Sequence, residues 1–74
     1  MELETLQKII AKILNVDPAE VMLETTFAND LGADSLDFYQ ILGEIEKVQG
    51  ISIDKSLMER LVTVQDVLEM IQKA

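Results

Sequence analysis

The sequence predicts an all-α fold: a small bundle of three main helices plus one or two short helices, with a long loop between helices one and two. Three observations predict it. Apolar residues recur at helical spacing along almost the whole chain. That spacing is punctuated by helix start and stop signals. The hydrophobic fraction, 49% of 74 residues, is high enough to build a core in one small domain spanning residues 1–74.

The first helix is expected over about 3–14, with Leu3, Leu6, Ile10, Ile13 and Leu14 on one face and Asn15 at its C-terminal end. A second start follows at Asp17-Pro18. Asp17 suits the N-cap, Pro18 the first helical position and Glu20 the capping-box partner, with Val16 stapled to Val21. Only about a turn is expected there. Residues 22–33 form the long connection, held to the core by Phe27 and Leu31. Long ordered loops in small domains are often functional.

Asp34 then caps the second strong helix, with Ser35 as its first residue and Asp37 in the positive first turn. Phe38, Leu42 and Ile45 supply its buried stripe, joined by Val48 or Ile41. Lys47 and Gly50 are the stop signals. Ile51 and Ile53 lead into a short helix capped by Asp54 or Ser56, the latter able to form a capping box with Glu59. Thr63 caps a last helix of about 64–72. Val62 and Val67 are its expected staple, and Val64, Leu68 and Ile71 face inward.

Composition removes many functions. Without cysteine there is no disulfide, thiolate nucleophile or cysteine zinc site, and without histidine the commonest general base and metal ligand are gone. No calcium-loop or phosphate-loop spacing is present, so no metal site and no catalytic residue are expected. Six basic against fourteen acidic residues leave a net charge of −8, which disfavours nucleic acid and anionic membrane. No apolar run approaches the length of a membrane span, and the first residues lack a basic-then-apolar signal pattern. A cytoplasmic, monomeric protein is expected. The acidity is confined to residues 1–54, because residues 55–74 balance three acids with three bases. Such a field speeds encounters with basic partners.

The chemistry points to Leu31-Gly32-Ala33-Asp34-Ser35-Leu36-Asp37. A serine at the start of a helix is ordinarily just a helix-start residue, with its hydroxyl near unpaired N–H groups. As a nucleophile Ser35 is poor, having no His or Lys base nearby in sequence and two flanking carboxylates that repel an oxyanion.

Phe27-x-x-Asp30-Leu31-Gly32-Ala33-Asp34-Ser35-Leu36-Asp37, Gly50-Ile51-x-Ile53 and Thr63-Val64-Gln65-Asp66-Val67, in that order in an acidic chain of this length, are together specific. On these residues the chain resembles the acyl carrier proteins of the type II fatty-acid-synthase class, over essentially its whole length. The resemblance implies that a phosphopantetheinyl transferase esterifies Ser35 with 4′-phosphopantetheine from coenzyme A. Acyl groups then travel as thioesters on that arm between enzymes of fatty acid biosynthesis, and the carrier itself catalyses nothing. It also implies docking of basic patches on partner enzymes through helix two, here Asp34, Leu36, Asp37, Glu44 and Glu46. Each residue has a plainer reading beside that one: Glu44 and Glu46 as a solvated face, Asp37 as a partner of the helix dipole. Gln40, Lys47, Ser52 and Lys55 depart from the acidic pattern of typical members. Gly43 stands where a larger apolar residue is frequent, as if a neighbour approached closely, and Phe38-Tyr39 is bulkier than the usual pair. These departures keep two alternatives open: a carrier dedicated to a polyketide or lipid-modification pathway, and a cofactor-free acidic helical interaction module.

Overall fold

Helix α1 runs from Leu3 to Leu14 and ends where Asn15 turns left-handed (φ 57°, ψ 47°), its N–H donating to the Ala11 carbonyl. Asparagine tolerates that conformation, so the stop is local in origin. The computed structural model to which this helix belongs describes residues 1–73. Of the apolar face, Leu6, Ile10 and Ala11 are buried, while Leu3, Ile13 and Leu14 pack against the core from its edge.

A single 3-10 turn at Pro18–Glu20 follows, with the Asp17 carboxylate accepting the Ala19 N–H at 2.9 Å. Glu20 contributes its carbonyl to the connection, accepting the Thr25 hydroxyl at 3.2 Å. Val21 is fully buried and Val16 packs against the core beside it. Gln7 on α1 ties this corner down by donating to the Val21 carbonyl at 2.7 Å.

Helix α2 spans Ser35–Gln49 and is closed at both ends by sequence-local devices. At its start Asp34 Oδ1 accepts the Asp37 N–H at 2.8 Å, while Asp37 Oδ2 accepts the Asp34 N–H at 3.2 Å. At its end Gly50 takes φ +65°, a conformation that costs glycine nothing, and its N–H reaches the Glu46 carbonyl. The buried stripe is Phe38, Ile41, Leu42 and Ile45. Of the two residues that could complete it, Ile41 is fully buried, whereas Val48 is half exposed on the rim of the groove between α1 and α2. Gly43 answers no internal close approach: a Cβ built there meets nothing within 4 Å.

The connection to the last helix holds a 3-10 helix, Lys55–Arg60, capped by Asp54, whose carboxylate accepts the Ser56 N–H at 2.9 Å. The expected Ser56–Glu59 box is therefore not what starts it. Asp54 sits two residues earlier and takes Ser56 as its donor. Ile53 before it is buried and Ile51 is partly so. Helix α3, Val64–Lys73, buries Val64, Val67 and Ile71, with Leu68 partly covered. Of the expected staple pair, Val67 lies fully inside and Val62 is half exposed.

The start of α3 organises the long loop. Val64 and Gln65 donate to the carbonyls of Thr25 and Leu23 at 3.0 and 2.9 Å, and Phe27 donates back to the Val62 carbonyl at 3.1 Å. Thr26 and Thr63 thus form an isolated antiparallel bridge. Two N–H groups that a helix leaves unpaired in its first turn find acceptors in the loop. A third, that of Asp66, is met by Thr63 Oγ1 at 3.1 Å. The loop carbonyls gain partners in the same stroke, as buried backbone requires. Among the described residues, no buried side-chain polar atom lacks a partner.

Candidate functional site

Ser35 stands at the first position of α2 and is exposed. Its position is fixed from both sides. Downstream, the Asp34–Asp37 box locks the first turn. Upstream, a second reciprocal pair shapes the approach: the Thr26 N–H donates to the Asp30 carboxylate at 2.8 Å, and the Asp30 N–H donates to Thr26 Oγ1 at 3.0 Å. Leu31 and Ala33 donate to the Thr26 and Phe27 carbonyls, and between them Gly32 takes φ +64°, which a side chain would resist. The loop delivers the chain to Asp34 in one set direction.

Two consequences follow for Ser35. The N–H groups of Ser35 and Leu36 have no protein acceptor among the described residues, whereas those of Asp37 and Phe38 are taken by Asp34. Beside the hydroxyl lies a cleft of about 320 Å³, walled by Phe27, Phe38, Met58, Leu61 and Val62. Its charged lining is Asp34 and Glu59, with no lysine or arginine, and Asp34 Oδ1 is already engaged by the Asp37 N–H. The site presents an exposed hydroxyl at the start of α2.

The other candidate residues divide. Asp34, Leu36 and Asp37 gather at the start of α2, with Leu36 72% exposed and both carboxylates engaged in the cap. Glu44 and Glu46 lie further along and, at 3.6 residues per turn, about 160° apart around the helix. Glu44 is exposed and borders the α1–α2 groove. Glu46 turns toward the loop after α2, accepting the Ile53 N–H at 2.7 Å and pairing with Lys55 at 3.0 Å. Those contacts hold its carboxyl below the usual glutamate range, the Ile53 N–H first and Lys55 next. Lys55, out of pattern in the sequence, has a structural task here, also donating to the Ile53 carbonyl.

Thr26 and Thr63 are the residues that sequence reasoning undervalued. Thr63 was legible as a cap, but nothing local marks Thr26 as its bridge partner. The reciprocal spacing Thr26-x-x-x-Asp30 is the one signal that could have singled it out.

A family model described as a phosphopantetheine attachment site matches residues 4–71. Curated relatives named acyl carrier protein align over nearly the whole chain. The one from Helicobacter acinonychis is 44% identical over 93% of this chain and 88% of its own length. The one from Thermosynechococcus vestitus is 45% identical over 93% and 85%. The one from Phaeodactylum tricornutum is 40% identical over 92% and 90%.

Proposed function

This chain belongs to the acyl carrier protein family, and from that premise we propose that Ser35 is the residue to which its 4′-phosphopantetheine is joined. The observation that carries the assignment is an exposed hydroxyl at the first position of a helix of 15 residues, beside an apolar cleft. The residues present fit the group. The N–H groups of Ser35 and Leu36, at the positive end of the α2 dipole, are suited to a phosphodiester oxygen. Leu36, Val62 and Met58 offer apolar surface to the pantetheine chain. When attached, the group supplies the thiol that a chain without cysteine lacks, and on it acyl groups are carried in fatty acid synthesis.

The chain's own part is to hold and to be recognised. The Asp34–Asp37 box keeps the first turn of α2 formed while leaving the Ser35 hydroxyl in solvent. Activation of that hydroxyl comes from the phosphopantetheinyl transferase, and the chain acts as a carrier that catalyses no step itself. Asp34, Leu36 and Asp37 form the docking edge, with Glu44 a secondary contact. Exposed ion pairs contribute about 0–1 kcal/mol each, so docking by this edge is brief and salt-sensitive, as a shuttle between enzymes requires. Glu46 serves the loop, through Ile53 and Lys55, more than any partner.

Incubation with coenzyme A and a broad-range phosphopantetheinyl transferase, followed by intact-mass and peptide-level mass spectrometry, tests the assignment. One added group, located on Ser35 and lost in Ser35→Ala, is the expected result. An adduct on any other residue, or none on folded wild type, overturns it and favours an acidic interaction module.

A further inference from the structure

The cleft beside Ser35 is lined by two aromatic rings. The rings of Phe27 and Phe38 meet at 4.8 Å between centroids, with their planes tilted by 52°. Both are more than nine-tenths buried and belong to the same buried cluster as Leu42, Ile45 and Val64. Phe38 is the one α2 residue besides Ser35 that lines the cleft, and it lies one turn on from the serine. The two rings therefore stand between a group tethered at Ser35 and the interior of the bundle.

An alkyl chain held on such a tether is driven onto apolar surface by the same effect that assembles the core. The nearest surface of that kind is this cleft, walled by Met58, Leu61 and Val62 as well as by the rings. Its wall is partly in solvent at Val62, which is 53% exposed, while Phe27, Phe38 and Leu61 are buried. We propose that Phe38 sets the length of acyl chain this protein shelters: its ring closes the inner end of the cleft, so a short chain is covered and methylenes beyond it remain in water. The proposal rests on Ser35 being the tether. Removing the ring leaves a void lined by apolar side chains and continuous with the cleft, and such voids stay dry and accept apolar ligands. A longer chain then has somewhere to go.

Wild type, Phe38→Leu and Phe38→Ala are each loaded from butyryl-, octanoyl- and dodecanoyl-coenzyme A with a broad-range transferase and checked by mass and circular dichroism. The melting temperature of each form is compared with that of the same variant carrying unacylated pantetheine. In wild type the melting temperature rises from butyryl to octanoyl and then levels off. In the variants the dodecanoyl form melts at least about 4 °C above the octanoyl form, a shift readily resolved for a domain of this size. Phe38→Leu keeps an apolar side chain that cores tolerate, and it carries the comparison if the alanine variant does not fold. The same levelling-off in loaded variants as in wild type, or a wild-type melting temperature that climbs by that margin to dodecanoyl, overturns the role of Phe38 alone. Folded wild type that takes no acyl-pantetheine on Ser35 overturns this proposal together with the tether.

Discussion

The carboxylate of Glu46 accepts the backbone N–H of Ile53 at 2.7 Å, closing the turn between α2 and the 3-10 helix from seven residues away. The bond is charge-assisted at its acceptor and reinforced by Lys55 at 3.0 Å. It places Ile53 in the core and starts the segment that brings Met58 and Leu61 to the cleft.

Acid should therefore loosen this corner. Glu46, Asp54 and Asp66 all have carboxyl groups held below their ordinary range, chiefly by backbone N–H donors at Ile53, Ser56 and Thr63 respectively. A depressed folded-state value means that the stability gained is complete above the unfolded value, near 4, and is lost as pH falls through the folded one. Urea midpoints from neutral pH down to about 3 should show a steep acid limb in wild type. That limb should be shallower in Glu46→Gln, which keeps an acceptor for Ile53 but no titrating charge. An identical limb in both would remove Glu46 from the acid response.

Thr63→Ala should cost about 0.5–2 kcal/mol, the ordinary worth of an N-cap hydroxyl. It strips the Asp66 N–H of its acceptor while leaving the Thr63 backbone bonds possible. Thermal melting reads the loss directly, at about 4–8 °C per kcal/mol for a domain of this size. A melting temperature within a degree or so of wild type would show that Asp66 alone holds the start of α3.

Gly43→Ala should stabilise the protein by about 0.5–1 kcal/mol, because a mid-helix glycine forfeits backbone entropy and the new methyl group meets no atom within 4 Å. Chemical denaturation checks the sign. Destabilisation instead would mean that the helix gains from glycine in a way its own packing does not show.

Asp37→Asn tests docking without breaking the cap. Asp37→Lys is the poorer choice, because the Asp37 carboxylate accepts the Asp34 N–H and a lysine would both abandon that bond and oppose the helix dipole. The amide keeps an acceptor and removes the charge. Transferase loading of Asp37→Asn should be slower than wild type at low salt and converge with it at high salt. Equal rates at low salt would take Asp37 out of recognition.

The helices were legible because their ends are chemically marked within a few residues: Asn15, Asp34 with Asp37, Gly50, and Thr63 with Asp66. The Ser35 motif was legible for the same reason, being one contiguous stretch at a helix start. What periodicity could not decide was the edge of a stripe, where Ile41 and Val48 differ by only about 20° around α2 and burial is settled by where α1 lies. Nor could local pattern foresee that Glu46 reaches Ile53, or that Thr26 pairs with Thr63, since both depend on chain segments brought together only in the folded bundle. The second reciprocal pair, Thr26 with Asp30, was open to reading but carries a spacing that no common cap uses.

The Thr26–Thr63 bridge ties the loop that leads to Ser35 to the start of helix α3, so the two should open together. Truncation after Arg60 would strip the Thr25 and Leu23 carbonyls of their donors, and the segment that aims Ser35 would lose its anchorage along with α3. The amides of Phe27, Val64 and Gln65 should accordingly exchange with deuterium at a common rate, so that fraying of α3 is felt at Ser35.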